Sequence, residues 1–487
     1  MKPSRDRPTP WLASIYPAAF AAGYVLISFS TTPTPVGGLW RPLLAAIVIA
    51  AAVSVLFGLA FRNRSIGALV ASIVVLLLAA PWLALVLSVI AASFWLGIGV
   101  LRRRRAGQTI APVTSRLPVI AVMFALVTAV TAIPAAFASL NLDRPASTAA
   151  AAGERTLPNI YALLLDGYPR SDVLEAELGM DNRPFEEELE GLDFEVAADS
   201  QSNYTSTWAS LTALFHGRYL HELPELTPFP RDQAEQFYAL MRSMNRGGIL
   251  DELRAAGYRV ATVPPPFESA SLFTADEVRP TGHMTSFELS LIQHSPIIGV
   301  LLAIAPDTVL DQQRQRVESA LHDLEAIATE PSDRPVFAFV HVLSPHAPIV
   351  FDADGELPPL PSCFPQQCSL WEIASADQWR MLPAQIDHLN RRVIDTLESV
   401  VGSDPDAVVL VMSDHGVQRP GGDLATMLKN FTALRAPGAS GLLGDRPHTV
   451  NILAAIAQQY AGIPATRRDY EGWVSAPQHP LTMQPAP

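Results

Sequence analysis

The sequence predicts a chain of two parts: an N-terminal multi-pass helical membrane domain of five helices, and an α/β sandwich with a mainly parallel sheet. Three observations predict this division. The long apolar stretches all lie before residue 141, in a chain that is 49% hydrophobic overall. Charged residues change from basic to acidic near the same point. After residue 156, short apolar runs alternate with amphipathic segments, which is typical of strands separated by helices.

Four apolar blocks mark the membrane domain, over residues 11–30, 42–61, 66–101 and 117–139. About 20 residues are needed to cross a bilayer, so the first, second and fourth blocks fit one crossing each. The third block is too long for a single helix and contains Pro81 and Trp82 at its middle. We interpret it as a hairpin of two helices, 66–80 and 83–101, which brings the number of crossings to five.

The distribution of basic residues indicates the orientation of these helices. Three basic clusters flank them: Lys2, Arg5 and Arg7 before the first, Arg62 and Arg64 after the second, and Arg102 to Arg105 after the fourth. Five crossings place all three clusters on the cytoplasmic side, as the positive-inside rule requires. The sequence after Leu140 then lies outside the cell, and the protein is a multi-pass protein of the cell membrane. The alternative is four crossings with an internal soluble domain, in which case the Arg102 cluster faces outward.

The remainder of the chain is strongly acidic. Residues 1–140 contain eleven Lys or Arg and one acid, Asp6, which leaves 23 basic and 46 acidic residues for the rest. Nucleic acid is therefore not expected as a partner, because phosphate binding needs clustered cations. We expect residues 141–156 to be a linker, 157–470 the catalytic domain, and 471–487 a disordered tail.

Strands and helices alternate through the catalytic domain. Strands are predicted at 158–166, 258–263 and 335–343 and in the run DAVVLVM, with helices in PFEEELEGL, at 311–328, near 377–400 and in HTVNILAAIAQQYAG. In such sheets the active site lies beyond the carboxyl ends of the strands. Polar side chains collect there, since Asp166, His341, His346, Asp414 and His415 end or follow three of these strands. A carboxylate in this position can also cap a turn, but three strands that end alike favour one shared site. Asp and His are suitable ligands for Mn²⁺ or Zn²⁺.

The stretch SNYTSTWASL, residues 202–211, is rich in hydroxyl groups. Ser and Thr before an apolar run are typical of a helix N-terminus. The stretch alone does not distinguish such a cap from a nucleophile.

Four motifs in this order resemble the alkaline phosphatase/sulfatase superfamily: LDGY at 165–168, TWAS with Thr207, HVLSPH at 341–346 and SDHG at 413–416. The chain is most similar to the membrane-anchored sulfatase-like proteins, which resemble lipoteichoic acid synthases and phosphoethanolamine transferases. The resemblance covers about residues 157–465.

The resemblance implies a role for each matched residue. Asp166, Asp414 and His415 would bind one divalent metal ion, expected to be Mn²⁺, with Zn²⁺ and Mg²⁺ as alternatives. Thr207 would be both nucleophile and metal ligand, with Thr205 as the second candidate, because the spacing to the following Ser is short enough to slip.

Histidines complete the implied site. His346 would protonate the leaving group. We also expect His341 and His448 on the substrate-binding side of the pocket, although His448 fits a capping role equally well.

The sequence also departs from parts of the superfamily. It lacks the C/S-x-P-x-R motif of formylglycine sulfatases at Thr207, which weakens a true sulfatase interpretation. Val342 stands where two-metal members carry an Asp, and Asn390 where a further acid is sometimes found. Both changes favour a single metal ion.

The function expected from these observations is that of a cell-surface phosphotransferase or phosphoesterase, with the bilayer and a lipid or envelope glycan as its partners. The alternatives are an enzyme that hydrolyses sulfate or phosphate esters and an inactive envelope scaffold. An outward-facing domain would also permit a local disulfide between Cys363 and Cys368.

Overall fold

The computed structural model describes residues 12–31, 36–79, 157–279, 284–293, 304–363, 372–476 and 479–487, with a few positions between 126 and 136. The helices of eight or more residues in these ranges are α1 Leu12–Thr31, α2 Trp40–Ala60, α3 Arg64–Ala79, α4 Arg183–Gly191, α5 Thr207–His216, α6 Gln233–Met244, α7 Gly248–Ala255, α8 Ser286–Gln293, α9 Pro306–Thr329, α10 Ala376–Ser403 and α11 Thr449–Ile456. The strands are β1 Ile160–Leu165, β2 Glu195–Val196, β3 Arg259–Val263, β4 Glu277–Val278, β5 Val336–Val342, β6 Val408–Met412, β7 Thr432–Arg435, β8 Trp473–Val474 and β9 Gln484–Pro485.

The chain forms two compact units. The first contains Met1–Asn141 and Met284–Ile304, and is called the membrane unit below. The second contains Leu142–His283 and Ala305–Pro487, and is called the catalytic unit. The predicted domain division is therefore modified at one place, since a short segment between β4 and α9 joins the N-terminal unit.

In the membrane unit, α1, α2 and α3 coincide with the first three predicted apolar helices. Among the described residues, the run Val36–Ala60 is long and apolar enough to cross a membrane, and Tyr16–Ser30 is a shorter apolar helix. The predicted helix 83–101 lies outside the described residues, as does most of 117–139. The count of five crossings is therefore not confirmed.

Helix α2 has the side-chain distribution of a helix that faces lipid. Its large apolar side chains include Leu44, Val48, Leu56 and Leu59, all more than half exposed. Where α2 turns into α3, the backbones approach so closely that a Cβ on Gly67 would lie 2.2 Å from the backbone nitrogen of Gly58. Small residues at helix contacts are typical of packing in a bilayer, because they let backbones meet.

Helix α8 packs within the same unit, against the ends of α1 and α2. The Phe287 ring meets Phe29 edge-on at 5.9 Å between centroids, and the Tyr24 hydroxyl donates to the carbonyl of Leu291 at 3.0 Å. Arg41, near the start of α2, donates two hydrogen bonds to the Glu288 carboxylate. Within this unit, α8 therefore lies at the C-terminal end of α1 and the N-terminal end of α2.

The catalytic unit is built on a seven-stranded sheet in the order β2-β7-β6-β1-β5-β3-β4. The five strands from β6 to β4 run parallel, and β7 and β2 are antiparallel additions at one edge. Ile160 at the start of β1 pairs with Phe337 on one side and Val408 on the other. This arrangement confirms the predicted α/β domain with a mainly parallel sheet.

Helices cover the central strands. β1, β5 and β6 are buried along their whole length, which explains why they appear in the sequence as continuous apolar runs. Leu211 and Phe215 of α5 and Ile452 of α11 pack with β1, β5 and β6 in one hydrophobic cluster. Helices α9 and α10 pack on each other, and α9 lies against β5.

The C-terminal residues contain a second, small ladder. β8 and β9 pair in antiparallel fashion, with Trp473 opposite Pro485, and Leu481 is buried. This differs from the expected disordered tail over 471–487. Its Pro-rich composition is typical of disorder, but the segment is held by hydrogen bonds to residues far away in the sequence.

Candidate metal centre and active site

The ends of two adjacent parallel strands bring three ionisable side chains together. Asp166 directly follows β1, and Asp414 and His415 follow β6 after a single serine. The β1 end is fixed because the Asp166 N–H donates to the carbonyl of Val342 at 3.0 Å. Ligand atoms of Asp166, Asp414 and His415 all lie within 4.8 Å of one another. The structure therefore brings together three of the four predicted metal ligands by main-chain topology.

The fourth predicted ligand, Thr207, lies beside this cluster. It is the first residue of α5, and Ser206 before it is the N-cap residue in an extended conformation. Its Oγ1 is 3.3 Å from Nε2 of His415. The hydroxyl therefore sits at the positive end of a helix dipole, next to the acidic cluster.

Two buried oxygens in the cluster lack a hydrogen-bond partner. Asp166 and Asp414 are at most 1% exposed, yet Asp166 Oδ1 and Asp414 Oδ2 have no hydrogen-bond partner among the described residues. The nitrogen nearest to Asp414 Oδ2 is His415 Nε2, at 3.2 Å, and it forms an ion pair only if His415 is protonated. A buried carboxylate oxygen without a partner is costly. A divalent cation would remove this cost, so the residues present fit a metal ion. Two carboxylates, an imidazole and a hydroxyl suit Mn²⁺, Zn²⁺ or Mg²⁺.

The charge state of the cluster also fits a cation. Burial alone would raise the pKa of Asp166, but the positive charge of His346, together with a hydrogen bond and charge from His341, lowers that pKa to about 2. Burial would lower the pKa of His415, but the carboxylates of Asp414 and Asp166 raise it. The cluster thus concentrates negative charge, which the neighbouring histidines balance in this structure.

The hydrogen bonds of His415 determine which of its nitrogens faces the cluster. Its Nδ1 is 2.8 Å from the carbonyl of Gly416, so Nδ1–H donates and Nε2 is left as the ligand nitrogen. The same turn requires a glycine, because a Cβ on Gly416 would lie 2.7 Å from the carbonyl oxygen of Lys429. The SDHG motif therefore encodes both the ligand and the turn that aims it.

Thr205, the second candidate nucleophile, is engaged elsewhere. Its hydroxyl donates to the carbonyl of Ser475 at 3.1 Å and accepts from the Ser475 N–H at 3.0 Å. The Thr205 hydroxyl therefore uses both its donor and its acceptor function in hydrogen bonds to Ser475. Of the two threonines, Thr207 is the one placed next to His415.

His341 lies behind Asp166 and is fully buried. Its Nε2 is 2.9 Å from Asp166 Oδ2, the carboxylate oxygen that is not left open. This places His341 as a support for a metal-binding carboxylate, and differs from the expected substrate-binding position.

His346 lies on the other side of Asp166. Its N–H donates to the carbonyl of Asp166 at 3.0 Å, and its ring Nδ1–H donates to the carbonyl of Ala347 at 2.7 Å. Nε2 is thereby left as the nitrogen that can exchange a proton with a substrate. The half-buried ring packs edge-on against Phe267, which also contacts Trp208 beside Thr207. Sequence reasoning did not single out this aromatic row of Trp208, Phe267 and His346.

His448 is not part of the cluster. Its Nδ1 is 3.2 Å from the amide oxygen of Asn203, and its Nε2 is 3.1 Å from the carbonyl of Arg468. With both nitrogens engaged, His448 occupies the capping position at the start of α11, which is the alternative that the sequence left open.

The positions where this chain departs from two-metal enzymes also have structural roles. Val342 is buried at the end of β5. The Asn390 amide oxygen accepts from the Tyr168 hydroxyl at 2.8 Å, and its nitrogen donates to Asn182. The described residues offer no other group of three metal-binding side chains. Cys368 lies outside the described residues, so the Cys363–Cys368 disulfide remains a prediction.

Ser202 is a residue that the sequence analysis did not identify. Its hydroxyl donates to the main-chain carbonyl of Asp414 at 2.5 Å. It therefore connects the hydroxyl-rich loop before Thr207 directly to the SDHG turn. No signal in the sequence separates this serine from its five hydroxyl-bearing neighbours.

Comparison with known proteins gives fold likenesses only. No protein-family model matches the chain, and no curated protein matches it. Among solved structures it is similar to the C-terminal periplasmic domain of EcEptC from Escherichia coli in complex with Zn, with 11% identity, a TM-score of 0.44, and coverage of 68% of this chain and 93% of that one.

Two further solved structures show a comparable likeness. One is the lipoteichoic acid synthase LtaP from Listeria monocytogenes, at 11% identity and a TM-score of 0.38, covering 71% of this chain and 81% of that one. The other is the soluble domain of lipooligosaccharide phosphoethanolamine transferase A from Neisseria meningitidis, at 14% identity and a TM-score of 0.38, covering 66% and 90%. These are the groups of protein that the sequence motifs resemble.

Proposed function

We propose that this protein is a metal-dependent phosphotransferase or phosphoesterase of the cell surface, which acts through Thr207 on a lipid or envelope glycan. The observation that carries the proposal is the position of the Thr207 hydroxyl. It lies at a helix N-terminus, 3.3 Å from His415, beside two buried carboxylates with unpartnered oxygens. A structural threonine cap would need no such neighbours.

The residues of this site can carry out a two-step transfer. Thr207, deprotonated at Oγ1, attacks the phosphorus of a phosphodiester, and the bond from phosphorus to the leaving oxygen breaks. His346, protonated at Nε2, gives its proton to that oxygen. A divalent cation held by Asp166, Asp414, His415 and Thr207 would stabilise the threonine alkoxide and withdraw charge from the phosphate oxygens.

In the second step an acceptor hydroxyl attacks the phosphothreonine. Neutral His346 takes the proton of the acceptor, the new phosphorus–oxygen bond forms, and the bond from phosphorus to Thr207 breaks. Thr207 leaves as an alkoxide, whose charge a bound cation would balance. Water as acceptor gives hydrolysis, and a sugar or lipid hydroxyl gives transfer. Thr207 cannot form the aldehyde hydrate of formylglycine sulfatases, which is why a phosphate ester is preferred over a sulfate ester as the substrate.

The membrane unit supports a lipid or envelope substrate. Helix α8 contacts Phe29 of α1 and Arg41 of α2, so it lies at the end of these helices opposite to Arg62 and Arg64. Arginines mark the cytoplasmic side. These contacts support an extracytoplasmic position of α8, which the proposed cell-surface substrate requires.

The direct test compares the lipids and envelope glycans of cells with and without the gene, and of cells that carry Thr207→Ala. We expect the alanine variant to insert in the membrane and to leave the product missing. The Thr205→Ser variant, which keeps a hydroxyl at the neighbouring position, is the matched control and should restore the product. Full restoration by Thr207→Ala would contradict the proposed nucleophile.

Purified protein distinguishes the remaining functions. Hydrolysis of a soluble phosphodiester without head-group transfer would favour an ester hydrolase. A protein that binds no Mn²⁺, Zn²⁺ or Mg²⁺ and cleaves no phosphodiester would instead be an inactive scaffold.

A further inference from the structure

We propose that the segment 470–475, here called the C-terminal strap, positions the nucleophile, and that Thr205 is the positioning residue through which it acts. The inference rests on the proposed role of Thr207. It concerns residues that the catalytic site does not use, since Thr205 and the strap make no contact with the metal cluster that the described residues record.

The strap lies along the loop before Thr207 and forms hydrogen bonds with Ser202, Asn203 and Thr205. The Trp473 N–H donates to the carbonyl of Asn203 at 2.9 Å, and the Asn203 amide donates to the carbonyl of Glu471 at 2.8 Å. Tyr204 and Trp473 form a parallel bridge. The loop 202–205 is thereby held against the strap by main-chain and side-chain hydrogen bonds and one isolated bridge.

Thr205 ends this pairing, two residues before the nucleophile. Its hydroxyl accepts a hydrogen bond from the N–H of Ser475 at 3.0 Å and donates one to the carbonyl of Ser475 at 3.1 Å. Thr205 is 2% exposed, so loss of either bond would leave a buried polar group unpartnered. A hydroxyl that bonds both main-chain groups of a residue substitutes for a strand partner, and it fixes the backbone just before Ser206 and Thr207.

The opposite end of the loop is fixed to the metal-binding turn. Ser202 donates to the carbonyl of Asp414 at 2.5 Å, and the Tyr470 hydroxyl of the strap donates to the carbonyl of Ser202 at 3.2 Å. The loop is therefore held between the SDHG turn and the strap. Because α5 begins at Thr207, the position of the loop sets the distance from Thr207 to Asp414 and His415.

This placement matters because a nucleophile must be held accurately. A misplacement of about 1 Å can cost about a hundred-fold in rate, even when the altered residue does not touch the substrate. We therefore expect loss of the Thr205 hydroxyl to lower kcat, and to change the KM for substrate much less. A residue that only stabilises the fold would lower the unfolding midpoint without this separation.

The experiment uses the full-length protein with Mn²⁺ and bis(p-nitrophenyl) phosphate, a soluble phosphodiester. Thr205→Val removes both hydrogen bonds at constant size, and Thr205→Ser keeps them. Thr212→Val is the matched control, since Thr212 is also fully buried but bonds only the carbonyl of Trp208 within α5. Steady-state kcat and KM are measured for all three variants, with hydrogen exchange of the amides of residues 202–207.

We expect Thr205→Val to lower kcat by about ten-fold or more with KM within about two-fold, and to speed exchange in the loop. Thr205→Ser and Thr212→Val should behave like the wild type. Equal kcat values for Thr205→Val and Thr212→Val would overturn the proposal, as would a Thr205→Ser variant as slow as Thr205→Val. If the wild type cleaves no phosphodiester, the proposed function fails, whereas exchange in the loop still tests the strap separately.

Discussion

The two sides of the loop 202–207 are both polar and both buried, but they differ in how their hydrogen bonds are satisfied. On the strap side, Asn203, Thr205 and His448 each have partners for their side-chain polar atoms. On the sheet side, Asp166 and Asp414 each keep a buried oxygen without one. A satisfied buried network stabilises a fold, whereas an unsatisfied one is destabilising unless a ligand completes it. The difference supports the proposal that the sheet side is the site and that the strap side supports it.

The largest effect should come from the nucleophile. Thr207→Ala removes a hydroxyl on the unsatisfied side, so we expect phosphodiester turnover to fall by at least about a thousand-fold because the covalent route is lost. The unfolding midpoint should change little, since the hydroxyl has only the His415 contact. Thr212→Val serves again as control for a buried threonine on the same helix. A Thr207→Ala variant with turnover within ten-fold of wild type would remove the distinction between the two sides.

Metal removal should give the next largest effect. Chelation with EDTA is expected to abolish activity, and Mn²⁺ should restore it. Bound Mn²⁺ should also stabilise the fold, by about 2.7 kcal/mol at a hundred times its Kd, measured by thermal unfolding with and without the ion. Asp414→Asn should abolish this stabilisation, because it replaces one of the two carboxylates that keep a buried oxygen without a hydrogen-bond partner.

The same experiment has an outcome that would contradict the proposed metal site. If Mn²⁺ shifts the unfolding of wild type and Asp414→Asn equally, the ion binds elsewhere, and the unpartnered oxygens need another explanation.

A substitution on the strap side should lower the stability of the fold and leave the response to Mn²⁺ unchanged. Asn203→Ala removes hydrogen bonds to Glu471, His448 and the Val450 N–H, and we expect a loss of about 1–3 kcal/mol in the free energy of unfolding. The Mn²⁺-induced shift should remain, since Asn203 does not contact the cluster. Denaturant unfolding at two Mn²⁺ concentrations measures both. A variant with normal stability but no Mn²⁺ response would reverse the assignment of the two sides.

The smallest effect is expected at Asp172, which lies outside the metal cluster. Hydrogen bonds from Arg170 hold the pKa of Asp172 down to about 2, against the effect of burial, with Lys429 adding to them. A folded pKa below the unfolded value stabilises the fold above about pH 4, and this contribution is lost as the pH falls toward 2. Because Asp172 is about half exposed, it should contribute less than about 1 kcal/mol.

Asp172→Asn should therefore be slightly less stable than the wild type at pH 6, and the difference should be clearly smaller at pH 3. Chemical denaturation at the two pH values checks this, and a difference that grows toward pH 3 would contradict the sign.

Much of the catalytic unit could be predicted because its central strands are buried on both faces. β1, β5 and β6 appear as continuous apolar runs that end on Asp166, on the HVLSPH motif and on Asp414. The same apolar runs therefore predicted both the strand ends and the candidate ligands. The two-residue strands β2 and β4 carry no periodicity, and their pairing depends on tertiary contact. Both were missed for this reason. The antiparallel edge was not predicted, since it consists of β2 and the four-residue strand β7.

The roles of the histidines were harder to predict. His341 and His448 are ordinary polar residues near motifs, and only the fold shows that one supports Asp166 and the other caps α11. Strap residues 470–475 are bonded to a loop more than 260 residues earlier, so no local pattern reveals them. The return of α8 to the membrane unit has the same cause, since Glu288 meets Arg41 only in the folded chain.

The most direct test of the central claim is to locate the covalent intermediate. Wild-type protein is mixed with Mn²⁺ and a phosphodiester, quenched in acid, digested, and mapped by mass spectrometry. A phosphoryl adduct on Thr207 that requires Mn²⁺ and is absent from the Asp414→Asn variant is the predicted result. An adduct on Thr205 or on any other residue would contradict it.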